Sequence, residues 1–542
     1  MKRFIEDFHD EIFDIIIIGG GITGAAVAYE ASSRGLKVAL FEKGDFGGET
    51  SAATSKLIHG GLRYLNNLEI GLVRESLRER RILENIAPNF VHPLAFMIPN
   101  YCGIMNNKWI IKLGLTLYDI LAFDKKWTWD KNKRIPSHST ISKKRVIELE
   151  PNVRTKSLTG ASVYYDTQSI FPERLTLAFL KSAVEFDAKI SNYSMITEFI
   201  YKNGKQILGV KVLDTINNIE TTVKGKLTIN CGGPWADIIL NLAERGKSNN
   251  HIRRSEGIHL ITKKMAVNNA VVLRTKEGRH FFIIPWRGHS LIGTTDKEYI
   301  GNPDNYRVTK KGIDDFIKEI NSSFGKENLT YKDINFAYGG LRPILDDQTE
   351  GTYKSSRRYE IYDNSVEGYE GLITVEGGKY TTSRNLATKV LKLIERKLKR
   401  KLTNSTTHKT PLNGCNIGDI SAFLDSIKEE NKDFNEKTIE YLGKNYGTQY
   451  KEVLKIAKEN KDWTVPLNDD GEILAEVIFS IRYEMAMKLT DIFLRRTGIG
   501  TLGFPGNDVF DKIVNIASRE LKLSHSRLQN EIDEVKTKMN LP

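Results

Sequence analysis

Positions 15–18 form an unbroken β-branched run, the pattern of a strand buried on both faces of a parallel sheet, and it leads directly into Gly19, Gly20 and Gly21. Apolar residues then fall at helical spacing from 22 to 35, and a second short apolar run, 37–41, ends on Glu42. Strand, glycine turn, helix and strand in that order predict a βαβ unit. A charged amphipathic helix is predicted over 74–86, closed by Pro88, and strands at 159–165, 207–213 and 228–230, the last reaching Gly232 and Gly233. Runs at 259–262, 281–285 and 290–294 predict a second, mainly β region suited to carrying a substrate pocket. At 372–376 a strand again meets a glycine pair, Gly377 and Gly378, and a helix of about 20 residues is predicted from near Thr381. Three strand-to-glycine junctions predict one nucleotide-binding sheet assembled from distant parts of the chain, with the substrate region inserted between them.

The pattern changes after residue 402. Residues 403–414 are polar and contain Pro411, which predicts a linker. Beyond it apolar residues recur at three and four spacing over 473–494 and 509–521, which predicts a small all-α C-terminal region. The expected organisation is an α/β FAD-binding Rossmann-like sheet discontinuous in sequence (1–402, with parts near 12–90, 155–240 and 335–402), an inserted α+β substrate region, the linker, and an all-α C-terminal domain over 415–542.

Composition narrows the class. In 542 residues, 40% hydrophobic and 27% charged residues describe an ordinary globular chain and exclude disordered or collagen-like readings. Eighty Lys and Arg against 68 Asp and Glu leave +12, which favours anionic partners such as phosphorylated metabolites or acidic lipid headgroups. The cations are dispersed among acidic residues with no aromatic-interleaved basic ribbon, so no nucleic-acid partner is expected. Cys102, Cys231 and Cys415 are too far apart for a zinc or iron-sulfur motif, so no metal site is expected. The first residues carry acidic groups and lack the apolar core of a secretory signal, so a cytoplasmic location is expected.

Gly19, Gly21 and Gly24 spell G-x-G-x-x-G between a predicted strand and a predicted helix. Their mechanical duties are a tight turn, close approach of backbone to a pyrophosphate, and close helix packing, with the phosphate at the helix N-terminus. Glu42, at the end of the next strand, is placed to accept hydrogen bonds from ribose hydroxyls, and its charge disfavours a 2′-phosphate.

TSAATSKLIHGGLRYL (50–65), NCGGPWAD (230–237), VEGGKYTTSRNLA (375–387) and FLRRTGIG (493–500), together with the long glycine-turn block, resemble the FAD-dependent glycerol-3-phosphate dehydrogenases, flavoproteins of D-amino-acid-oxidase architecture. The resemblance implies FAD as cofactor and oxidation of sn-glycerol 3-phosphate to dihydroxyacetone phosphate by hydride transfer to flavin. It places Thr54, Ser55, His59, Gly232, Gly233, Gly378 and Thr381 at the cofactor. A phosphorylated substrate needs cationic side chains, preferably arginines that grip phosphate bidentately. The resembling segments offer Arg63, Arg342 in YGGLRPIL, Arg357 in KSSRRYEIY, where the resemblance fits either Arg357 or Arg358 and Arg357 is preferred, and Lys379, with Tyr64 as a further phosphate partner. His259 in SEGIHLIT is the first choice for the proton acceptor, with Arg342 and Lys379 stabilising alkoxide charge.

The resemblance also implies a membrane quinone as electron acceptor and a peripheral position on the inner membrane face; the alternative is an oxidase that passes electrons to oxygen and makes hydrogen peroxide. No run of 18 apolar residues occurs. The stretch 109–123, WIIKLGLTLYDILAF, flanked by Lys108, Lys125, Lys126, Trp127 and Trp129, suits an interface, with Leu115 and Leu117 expected on its membrane face; a buried helix with solvent-facing lysines is the plainer reading. The run 396–401, RKLKRK, is expected as a solvated helix end that could also meet acidic lipids. A homodimer is compatible with the sequence.

Overall fold

The computed structural model describes residues 1–7, 11–102, 108–246, 252–275, 277–324, 329–344, 352 and 358–542. The β-branched run lies in strand β1 (Ile12–Ile18), whose side chains are buried from Phe13 onward. Helix α1 (Ile22–Ser32) follows the glycine turn, and β2 (Val38–Phe41) returns parallel to β1. α1 is buried almost all round, because it packs between helices Pro172–Glu185 and Ser383–Leu398 on one face of the sheet. That position explains why its sequence is apolar on every side rather than on one stripe.

The first sheet runs in the order Tyr359–Asp363, Leu372–Gly377, Ile219–Asn230, β1, β2, Lys189–Ser191, all parallel except the antiparallel edge strand Tyr359–Asp363. The three strands that end at glycines are neighbours in register: Ile18 lies beside Asn230, and Asn230 beside Thr374. The expected discontinuous nucleotide-binding sheet is therefore present, and its glycine ends gather at one edge. A hairpin, Ser194–Lys202 with Gln206–Asp214, extends the sheet through the first half of Ile219–Asn230.

The second sheet is mainly antiparallel and holds Arg253–Thr262 between His289–Gly293 and Ile334–Ile344, with His280–Trp286 and Ala270–Arg274 continuing it toward Val91–Tyr101 and Leu158–Ser169. Helix α2 (Ile70–Ile86) starts a turn earlier than its charge pattern predicts, and α3 (Lys108–Leu121) covers the apolar stretch.

Residues 403–414 contain no helix or strand, but they are not a free spacer. Thr407 is buried and its hydroxyl donates to Glu30 Oε2 at 2.6 Å, while the Leu412 amide donates to the Ile86 carbonyl at 2.8 Å, so the segment is laid against α1 and α2. The C-terminal region is helical as expected, with one correction. The continuous helix expected over 473–494 is broken: Leu474–Glu484 ends at Met485, whose φ of 53° is left-handed, and the chain restarts at Leu489–Asp491 and continues as a π-turn over Ile492–Arg496. The break carries neither glycine nor proline, so spacing alone cannot reveal it.

Candidate active site

At the edge where the glycine ends gather, the close approach is physical: a Cβ on Gly24 would lie 1.9 Å from the Gly19 carbonyl oxygen. Gly21 caps α1 with no side-chain hydrogen bond, leaving that helix end to the cavity, and the Ile22 amide donates to Ser51 Oγ at 2.9 Å. Glu42 accepts from the Gly20 and Gly44 amides at 2.7 and 2.8 Å, and burial pushes its carboxyl above the usual range. Each of its oxygens keeps a lone pair for a further donor.

This cradle opens into a cavity of about 880 Å³ that reaches from the first sheet to the second. Such a volume lies in the upper part of the range for cofactor sites. The cavity is lined by Gly19, Gly21, Glu42, Thr54, Ser55 and His59, and further along by Gly232, Gly233, Gly378 and Thr381. Gly24 stands behind the lining, against Gly19. The His59 amide donates to Thr381 Oγ1 at 3.3 Å, tying two distant segments at the same wall. Burial pulls the His59 imidazole down to about 4.

Of the cationic candidates, Arg63, Arg342 and Lys379 line the same cavity, as do His259 and Tyr64. Lys379 Nζ sits 3.8 Å from the Tyr64 ring centroid and donates to Ser76 Oγ at 3.1 Å; burial holds its ammonium below its usual value. Arg63 lies 4.8 Å from the same ring's centroid and donates to Tyr64 Oη at 3.2 Å. Arg342, on Ile334–Ile344, donates to Thr294 Oγ1 at 2.7 Å. Its guanidinium lies against Gly257 of the facing strand, where a Cβ would come within 1.9 Å of Arg342 Nη2.

His259 is stacked on Tyr338, with ring centroids 4.8 Å apart, and its Nε2 is 2.9 Å from Ser55 Oγ. Its Nδ1 is buried with no hydrogen-bond partner among the described residues. Burial first, then the Arg342 and Lys56 cations, hold this imidazole neutral, well below its usual pKa. Arg357 lies outside the described residues.

Two lining residues escape the sequence reading. Arg274 and His280 face each other across the Ala270–Arg274/His280–Trp286 ladder and both reach the cavity. Burial, with Arg274 and Arg63 nearby, pulls His280 down to about 4. Only strand register brings them there; local composition carries no signal for it.

Asp45 also lines the cavity, held from behind by arginines of the C-terminal helices.

A glycine cradle at a helix N-terminus, an acid at the end of β2, and a cavity shared with a second sheet define a dinucleotide-dependent oxidoreductase. The glycine-capped α1 terminus, the Cβ-excluding turn and the acceptor capacity of Glu42 fit the pyrophosphate and ribose of FAD. Comparison with known proteins agrees: residues 14–384 match the FAD dependent oxidoreductase family, and residues 405–528 match the C-terminal domain of alpha-glycerophosphate oxidase. The chain belongs to this FAD-dependent oxidoreductase family, and its cofactor is FAD. It is 32% identical to the aerobic glycerol-3-phosphate dehydrogenase of Staphylococcus saprophyticus, over 100% of this chain and 98% of that protein. It is 34% identical to the enzyme of that name from Staphylococcus aureus strain bovine RF122, over 98% of this chain and 95% of that one. The structure of glycerol-3-phosphate dehydrogenase from Bacillus halodurans complexed with FAD superposes with a TM-score of 0.79 at 25% identity, covering 99% of this chain and 96% of that one. L-alpha-glycerophosphate oxidase from Mycoplasma pneumoniae shares the fold, with a TM-score of 0.54 at 19% identity over 74% of this chain.

Proposed function

We propose that the chain oxidises sn-glycerol 3-phosphate to dihydroxyacetone phosphate and passes the electrons to a membrane quinone. The carrying observation is that Arg63, Arg274, Arg342 and Lys379 line one cavity with the glycine cradle, a concentration of cations suited to a phosphate dianion. The names of the relatives support the same substrate.

In this reading Arg63 and Lys379, assembled around Tyr64, grip the phosphate, and Arg342 holds the substrate from the second sheet. FAD, held by the glycine cradle and Glu42, would supply the acceptor for the hydride of the carbinol carbon. His259, neutral and beside Ser55, accepts the hydroxyl proton, and Arg342 and Lys379 stabilise the negative charge that grows on that oxygen. Mixing the FAD-loaded protein anaerobically with glycerol 3-phosphate should bleach the oxidised flavin absorbance near 450 nm within about seconds, as turnover requires. Persistent absorbance, with free FAD excluded, would remove the substrate assignment.

The acceptor half of the reading rests on α3. Trp109, Leu113 and Phe123 are 65%, 73% and 63% exposed, while Ile111, Gly114 and Leu115 of the same segment line the cavity. The plainer reading of a buried helix with only its lysines outside is therefore wrong for this helix. Lys108, Lys112 and Lys126 accompany the exposed aromatic rings, the mixture that seats a helix in an anionic lipid interface. Among the described residues no helix is long and apolar enough to cross a membrane. The run 396–401 lends less support, since Lys397 pairs with Asp363 at 2.6 Å and Arg400 with Asp14 at 3.3 Å. Reduction of a quinone analogue without stoichiometric peroxide is expected; stoichiometric peroxide with no quinone reduction would assign oxygen instead.

A further inference from the structure

The loop that follows β2 forms a long wall of the FAD cavity: Asp45, Gly47, Gly48, Thr50, Ser51 and Thr54 all line it. Its backbone is tied to the glycine turn by the Gly47 amide, which donates to the Gly20 carbonyl at 3.0 Å. A turn sets that amide in place, since the Gly48 amide donates to the Asp45 carbonyl at 3.1 Å. Asp45 thus forms part of the turn that sets the loop against the cradle.

Asp45 is held by residues some 450 positions away. Arg496 grips both carboxylate oxygens, with Nη1 and Nη2 each at 2.8 Å, and Arg495 Nε donates to Oδ2 at 2.5 Å. Asn192 adds a bond to Oδ1 at 3.1 Å. Asp45 and Arg496 are buried and Arg495 is nearly so. Consecutive side chains of an α-helix point about 100° apart, yet here two consecutive arginines meet one carboxylate, because they end the π-turn Ile492–Arg496. That turn is braced in its own right. Arg495 also donates to Asp491 Oδ1 at 2.5 Å, Arg496 donates to the Glu484 carbonyl at 3.0 and 3.2 Å, and Arg174 donates to the Arg496 carbonyl at 3.0 Å. Neither Arg495 nor Arg496 lines the cavity. A fork of this strength, aimed from the C-terminal helices at a loop of the other domain, is more than packing requires. Apolar contact would join the two parts with less desolvation.

We propose that Arg495 and Arg496 are positioning residues for FAD, holding the cofactor loop in its binding shape through Asp45, so that the C-terminal helical domain governs cofactor retention without touching the cofactor. The glycine turn is held by the Glu42 carboxylate, which accepts from the Gly20 and Gly44 amides, and by neighbouring backbone; at Asp45 the loop wall is held from the C-terminal helices.

The test separates retention from stability. Removing one arginine outright would leave a buried carboxylate uncompensated, so the first variants are Arg495→Lys and Arg496→Lys, which keep the charge and lose the planar fork. The readouts are the FAD dissociation constant of the apoprotein, from quenching of flavin fluorescence, the melting temperature of the apoprotein, and hydrogen exchange at amides 46–51. Arg496→Lys should weaken FAD binding about tenfold or more, as displaced site elements do, and speed exchange in the loop while the apoprotein melts near the wild-type temperature. At saturating FAD the KM for glycerol 3-phosphate should stay close to wild type. Unchanged FAD affinity in both lysine variants would overturn the proposal, as would a loss of affinity that merely tracks a lowered melting temperature. If the lysine variants do not fold, Asp45→Asn combined with Arg496→Gln removes both charges together. Wild-type FAD affinity in that folded double variant would equally overturn it, and weakened affinity with a loosened loop would uphold it.

Discussion

Gly293 stands directly opposite His259 in the antiparallel pair Arg253–Thr262/His289–Gly293, and the imidazole fills the space a side chain at 293 would need: a Cβ there would lie 2.1 Å from His259 Cδ2. The ring is thus trapped between Tyr338 and a bare backbone, which fixes the nitrogen that meets Ser55. Gly293→Ala should displace the imidazole and lower kcat about a hundredfold, the scale of a misplaced general base, at a stability cost of about 1–3 kcal/mol for overpacking. Gly257→Ala should instead push Arg342 aside and act mainly on KM. Steady-state kinetics and thermal melting of both variants check this, and equal kcat and KM effects in the two would dissolve the distinction between the residues.

For the cofactor, the geometry separates two kinds of glycine. Gly24→Ala would drive a Cβ into the Gly19 carbonyl, so it should destabilise the apoprotein as well as expel FAD. At Gly21 the nearest protein atom to an added Cβ is Ser51 Oγ at 3.2 Å, so Gly21→Val should fold and yet purify without yellow cofactor. Glu42→Gln should bind FAD more weakly by about 1.5–3 kcal/mol, the worth of a hydrogen bond to a charged group. Flavin content per chain, read by absorbance after denaturation, decides; a fully yellow Gly21→Val would show that the pyrophosphate lies elsewhere.

The β1–α1–β2 cradle was legible because a single contiguous stretch holds its strand, turn, helix and acid, and each leaves a spacing signal. Resembling motifs, rather than periodicity, point to Arg63, Arg342, His259 and Lys379, and all four line the one cavity. Arg274 and His280 were not, since an antiparallel register, not composition, brings them to the cavity. Nor was the Asp45–Arg496 fork, whose partners lie 451 positions apart. The break at Met485 was hidden because a non-glycine residue takes the left-handed conformation there. Leu115 and Leu117 looked equivalent on the apolar stretch, but Leu115 is 1% exposed and faces the cavity, so only Leu117 belongs to the outer side.

The pH dependence should carry the mark of a depressed base. Burial, Arg342 and Lys56 hold His259 well below its usual pKa, so in the free enzyme it stays neutral, and competent as an acceptor, until the pH falls far under 6.5. Binding a phosphate dianion in the same cavity adds negative charge that offsets the cations around the imidazole and raises its pKa in the complex. The acid limb of kcat should therefore appear at higher pH than the corresponding limb of kcat/KM. A step near pH 6 in kcat/KM alone belongs to the second ionisation of the substrate's phosphate. Rapid-mixing measurements of flavin reduction from pH 5 to 8 check the order, and a kcat limb at the lower pH would show that His259 is not the acceptor.

Membrane docking makes the most demands on α3, and burial decides which residues can test it. Leu115 is core, so Leu115→Asp should unfold the segment or damage the cavity and says nothing about lipid. Leu113 and Ile120, 73% and 63% exposed, are the pair to change. Burying two such side chains in the interface is worth about 3 kcal/mol or more, so Leu113→Asp with Ile120→Asp should weaken partitioning by about a hundredfold. The wild-type protein should sediment with anionic liposomes and be only partly released by high salt, because screening removes attraction to lysines such as Lys112 and leaves the apolar contact intact. The double variant should stay in the supernatant and lose quinone reduction while keeping wild-type turnover with a soluble dye. Since Ile111 and Gly114 line the cavity from the same helix, a variant that loses dye turnover too would mean that the outer face supports the site's walls, and sedimentation unchanged from wild type would move the docking surface off α3 altogether.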